Sequence, residues 1–244
     1  MIIALKGPAQ CGKSTLATML EKELSSRGFN VKRTAFSDFV REEIYTAWKD
    51  RYNYFDIESY FHISPDYEAC EKFTSLTQDL VQEQRLMNQP VDIMSCLRML
   101  EQRPAPPAVR AIQQWWGQDF RRAQDPLYWI KKSFLANAEF ILESGNNILI
   151  EESCRQQNEG HYVQALGGIV LDLKPLPSPT ESEGEAMSHS VEQAALSWKG
   201  DIEIDMAYVF KCSKEQKAGW IQVNTLECLN RMGLPTYGTI KAHR

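Results

Sequence analysis

Paired cysteines are the first thing this sequence does without. Its six cysteines, Cys11, Cys70, Cys96, Cys154, Cys212 and Cys228, are scattered, with no C-x-x-C pair and no histidine at zinc-like spacing. That pattern excludes a readable zinc module and a disulfide framework, and it implies reduced thiols in a cytoplasmic compartment. A long apolar run is missing too. The opening one is too short for a membrane span or a secretory signal, so no membrane partner is expected. There is no internal repeat. Nor is there a cationic excess: 27 Lys and Arg against 32 Asp and Glu give a formal charge of −5. This balance argues against a surface that grips nucleic acid all over, while leaving room for a local basic groove. What remains is globular composition, 43% hydrophobic and 24% charged over 244 residues. Such a chain can form one large domain or a core with an inserted lobe.

The most informative stretch is the first twenty residues, MIIALKGPAQCGKSTLATML. An apolar strand pattern runs into a loop, and a helical pattern begins at Lys13. The loop Gly7-Pro8-Ala9-Gln10-Cys11-Gly12-Lys13-Ser14 fits G-x-x-x-x-G-K-S/T, in the strand-to-helix context that gives the motif its meaning. Gly7 and Gly12 allow backbone conformations that a Cβ would block, so successive N–H groups, those of Gln10 and Cys11 among them, can surround phosphate oxygens. The helix N-terminus adds partial positive charge. Lys13 is expected to reach the β- and γ-phosphates of ATP and Ser14 to bind Mg2+, with Thr15 as a neighbouring hydroxyl. Cys11 is either a reactive thiol in the loop or a small residue tolerated there.

Apolar positions Leu16, Met19, Leu20 and Leu24 predict a helix over 14–26, and a second strand is expected over 31–36. This strand–helix–strand start predicts an α/β fold, a parallel sheet flanked by helices. Asp38 and Arg41 follow the second strand, one helical turn apart. Asp38 either caps the helix or takes a proton from an attacking hydroxyl, and Arg41 is suited to clamp a phosphate. Residues 49–107 read as a helical insertion covering the acceptor site, its aromatics between Tyr52 and Tyr67 forming a small core. His62 has no obvious partner, and residues 103–107 form a stiff break. Within 108–132, Arg110, Gln113, Gln114, Trp116, Asp119, Arg121 and Arg122 offer charge for phosphate, amides for base edges and a ring for stacking; the two adjacent arginines equally suit a solvated face. Ile148 to Ile150 read as a buried strand that delivers Glu151, a candidate to organise magnesium, with Glu152 close behind; Arg155 follows as a cation for the transferring phosphoryl group. One more strand is expected over 169–173 and a polar, Pro-rich loop over 174–187, with its role as a lid left open. His189 beside Ser190 and Glu192 makes no catalytic triad, because nothing places a nucleophile with its base. A final strand is expected over 201–210 and a helix over 214–232.

With these residues in view, the chain resembles the bacteriophage deoxynucleoside monophosphate kinases, a branch of the P-loop kinases. Beyond the phosphate loop, residues 36–41 resemble a family stretch F-A-D-P-L-K, residues 110–122 resemble R-x-x-L-Q-x-x-G-T-D/E-x-x-R, and Tyr128-Trp129 follow. Residues 155–159 resemble the end of D-V-R-x-x-N-E, while Gly167-Gly168 and the loop from His189 to Glu192 also fit. Three positions depart: Ser153 stands at the Asp of D-V-R, Phe39 at the Pro and Gln118 at the Thr. The resemblance implies a single P-loop kinase domain over 1–244 that moves the ATP γ-phosphoryl group to a deoxynucleoside 5′-monophosphate with Mg2+, in a host-cell cytoplasm. It implies catalytic roles for Lys13, Asp38, Arg41 and Arg155, acceptor contacts from Asp38, Arg41, Arg110, Gln114, Trp116 and Arg122, and metal contacts from Ser14 and Glu151. It leaves room for a homodimer. The rival reading is a phage kinase acting on the hydroxymethyl group of a modified pyrimidine, 5-hydroxymethyluracil, in DNA; only there is nucleic acid a partner. A third is a non-catalytic nucleotide switch or ATPase.

Overall fold

The computed structural model describes residues 1–8, 10–52, 67–86, 98–102, 105–143, 145–174 and 194–234, side chains excepted at 49–52, 67 and 70. His62, Cys96, His189 and the 174–187 loop after Lys174 lie outside the described residues, as does much of 49–107. The chain divides into two compact units, Met1–Phe36 with Ile130–Arg244, and Ser37–Trp129. The second unit is thus wider than the 49–107 stretch read from the sequence.

The first unit holds a five-stranded sheet: β1 (Ile2–Lys6), β2 (Asn30–Thr34), β3 (Asn147–Cys154), β4 (Ile169–Leu173) and β5 (Ile202–Ile204). The strand order is β2-β3-β1-β4-β5, and every neighbouring pair is parallel. Helices cover both faces, so the central strands read as apolar runs rather than alternating ones. Ile3 and Leu5 of β1 pack with Leu16, Leu20 and Leu24 of α1 (Lys13–Ser26), and with Val209 and Leu229 further along the chain. Each buried leucine there contributes about 1.5–3 kcal/mol relative to exposure. Ile2 and Ala4 face the other way, onto Leu149, Val170 and Val163. The edge strand β2 carries Lys32 and Arg33, charges that discourage pairing with another chain.

The connection leaving β1 runs to β2 on one side of the sheet, and the one leaving β4 runs to β5 on the other. The carboxyl ends of these two neighbours therefore flank the switch point of the sheet, where open α/β folds leave a crevice. The 7–14 loop starts there.

The second unit takes in α2 (Phe36–Tyr52) from Ser37 onward, α3 (Tyr67–Leu86), α4 (Pro107–Gln114) and a π-helical segment (Trp115–Arg122). In the segment Trp115–Arg122 the backbone closes i→i+5. Its wider turn is braced from outside: Trp129 donates its indole N–H to the Gly117 carbonyl at 2.8 Å. Next come α5 (Tyr128–Leu142) and, after β3, α6 (Gln157–Ala165). A strand over 201–210 is not what forms. β5 stops at Ile204, and the Asp205 carboxylate accepts the Tyr208 N–H to start α7 (Met206–Lys211), burying Met206 and Val209 one turn apart. Ser213 and Gln216 then close a capping box on α8 (Lys214–Arg231).

Candidate functional site

The 7–14 loop is held in a shape that its sequence alone permits. Gly12 has φ +95°, and a Cβ there would meet the Met206 methyl at 2.9 Å and the Phe210 ring at 3.3 Å. Gly7 has φ +151°, and a Cβ there would lie 2.9 Å from the Leu173 carbonyl and 2.7 Å from the Cys11 sulfur. The loop thus turns tightly against the end of β4. Gln10 also takes a left-handed conformation, φ 60°, which costs a side-chain-bearing residue about 1–2 kcal/mol. Gly12 offers no side chain to cap α1, and the first turn holds no acidic residue, so nothing in that turn offsets the positive end of the helix dipole. The Lys13 ammonium donates to the Gly7 carbonyl at 2.8 Å, to the Pro8 carbonyl, and to the Cys11 sulfur at 3.7 Å. Ser14 and Thr15 are exposed.

Cys11 is buried, and burial pushes its thiol up from the ordinary value against the pull of Lys13 and, more weakly, of Arg155. Of the two roles left open for Cys11, the packed small residue is the one this environment favours. Arg155 follows directly on the end of β3, and its carbonyl accepts the Trp198 indole N–H.

Glu151 sits inside β3 and is 2% exposed. One carboxyl oxygen accepts three hydrogen bonds, from the Phe36 N–H at 3.0 Å, the Ser153 N–H at 2.9 Å and the Ser153 hydroxyl at 3.0 Å. The other oxygen, Oε2, is buried and has no partner among the described residues. Burial pushes the carboxyl up from 4.5 to about 8; the three donors pull the opposite way, and the Glu159 charge adds to the rise. Glu152 points its carboxylate at Arg33 instead, with Nε to Oε1 at 2.5 Å.

Three residues that the sequence reading passed over also gather at the ends of β1 and β4. Lys6 and Asp172 face each other in register and form a buried ion pair at 2.7 Å. The ammonium lies 4.9 Å from the Trp198 ring centre, and the Trp198 indole donates to the Arg155 carbonyl at 3.0 Å. Only the charge just before Gly7, inside an apolar run, hints at this in the sequence.

In the second unit, Asp38 lies in the first turn of α2 with its side chain 57% exposed, and it is ion-paired with Arg41 one turn on. Arg110 and Gln114 on α4 and Arg122 at the end of the π-helical segment are partly exposed. Trp116 is fully enclosed: its ring packs edge-on against Phe73 and Phe120, and its indole N–H goes to Glu43 at 2.9 Å. Arg121 lies on no solvated face. It is buried in an ion pair with Glu43 at 2.9 Å, its guanidinium within 5.5 Å of the Trp116, Phe120 and Tyr128 ring centres. Tyr128 donates to the second Glu43 oxygen. These residues build the core of their unit.

Among the described residues no helix is long and apolar enough to cross a membrane. Compared with known proteins, the chain matches no family model and no curated protein.

Proposed function

We propose that the 7–14 loop is a phosphate-binding P-loop and that the protein is a phosphotransferase, moving the γ-phosphoryl group of ATP to a deoxynucleoside 5′-monophosphate. The observation that carries this reading is the loop itself: a G-x-x-x-x-G-K-S sequence, held open by two positive-φ glycines at the switch point of a parallel sheet, leading into an uncapped helix. The loop amides and Lys13 hold the triphosphate. The donors suited to magnesium are hard oxygens, the exposed Ser14 hydroxyl and the unpartnered Glu151 Oε2. A magnesium ion held there would supply charge neutralisation to the phosphates.

Arg155, just beyond the end of β3, stabilises the transferring group. Asp38, Arg41, Arg110, Gln114 and Arg122 serve the acceptor. A phosphate oxygen of the acceptor attacks the γ-phosphorus, the bond to the bridging oxygen breaks and ADP leaves, so no strong base is required.

The test is transfer of label from γ-labelled ATP to natural deoxynucleoside monophosphates, to DNA carrying 5-hydroxymethyluracil, and in a mixture with no acceptor. Labelled deoxynucleoside diphosphates support the proposal. Label in DNA alone makes the protein a hydroxyl kinase with Asp38 as its base, and acceptor-independent release of phosphate makes it an ATPase or switch.

A further inference from the structure

Glu151 and Ser153 are two residues apart on β3, where the strand slips by one residue against β1: Ala4 faces Glu151 and Lys6 faces Cys154. Ser153 carries no charge. What it offers is two donors, its N–H and its hydroxyl, and both go to the same Glu151 oxygen that takes the Phe36 N–H. All three donors therefore crowd one oxygen, while Oε2 is buried without a partner among the described residues. A carboxyl kept only as a brace between β3 and Phe36 gains nothing from this imbalance, because a buried oxygen left without a partner costs its desolvation. The imbalance is what a ligand oxygen needs: one side fixed by neighbours, the other left over.

We propose that Ser153 is a positioning residue for the nucleotide's magnesium, fixing one oxygen of Glu151 so that the other serves the ion or its bound water. This inference rests on the kinase reading above. Ser153 touches neither nucleotide nor metal and acts only through Glu151.

The experiment measures ATP affinity of the full chain by calorimetry, once in excess chelator and once with magnesium, and takes the ratio of the two Kd values. In Ser153→Ala that ratio falls about 10-fold from wild type while the metal-free Kd stays within about twofold, and Ser153→Thr, which keeps the hydroxyl, restores it. Thermal unfolding of each variant is recorded alongside. If Ser153→Ala does not fold, Ser153→Cys, with similar volume and only a weak S–H donor, takes its place. An unchanged ratio, equal losses in both buffers, or failure of Ser153→Thr to restore it overturns the inference. A wild type that binds ATP in neither buffer overturns the nucleotide reading itself.

Discussion

Glu43 in one unit and Glu151 in the other are both buried, and they are buried differently. Glu43, 3% exposed, meets a full set of partners: Trp116 and Arg121 on one oxygen and Tyr128 on the other. Glu151, 2% exposed, has three neutral donors on one oxygen, none on the other, and no cation paired with it among the described residues. A buried charge with a counter-ion and saturated oxygens is part of a core. A buried carboxyl left half-satisfied is a candidate for chemistry. The difference teaches that burial alone does not separate the two roles; the count of partners on each oxygen does.

The comparison breaks most visibly at Glu43. Glu43→Ala strands Arg121 in the interior and is expected to lower unfolding free energy by about 3–5 kcal/mol in urea titrations. A loss below about 1 kcal/mol means that the pair is not what holds the unit. Glu151→Gln acts on function instead, lowering magnesium-dependent turnover by about 10–100-fold when kcat is followed against magnesium concentration.

A pH series sharpens the contrast further. The folded Glu151 pKa of about 8 lies above its ordinary 4.5, so between those values the folded chain keeps a proton that the unfolded chain has released. Unfolding then sheds a proton, and in metal-free buffer the contribution of Glu151 to stability falls as pH rises through that window. Denaturant midpoints across the range record the slope, and Glu151→Gln removes its share of it. The smallest effect is the stability of Glu151→Gln at neutral pH without metal, expected within about 1 kcal/mol of wild type because the side chain keeps its volume and an oxygen that accepts from Phe36 and Ser153.

The sheet was legible in the sequence wherever both faces of a strand are buried. Ile2 to Leu5, Ile148 to Ile150 and Ile169 to Leu173 form apolar runs that need no partner to be recognised. The motif of the 7–14 loop was legible because glycine at 7 and 12 is a local requirement. Where a single long-range bond decides, local reading fails. The 201–210 stretch fails for a local reason instead: it is apolar enough for a strand, yet Asp205 caps a helix after Ile204, and the one-turn spacing of Met206 and Val209 was the available signal. The π-helical turn depends on Trp129 reaching the Gly117 carbonyl, which no periodicity encodes. Glu43 looks like one more charge on a helix until Trp116, Arg121 and Tyr128 arrive, 73 to 85 residues later. Lys6 and Asp172, 166 residues apart, become a pair only because β1 and β4 lie in register.

The most direct test is calorimetric titration of ATP with magnesium onto wild type and Lys13→Ala, whose ammonium is held at the Gly7 and Pro8 carbonyls. Saturable one-to-one binding by wild type, weakened about 100-fold in a Lys13→Ala protein of unchanged fold, is the predicted result. Equal binding by both proteins, or none by wild type, contradicts it.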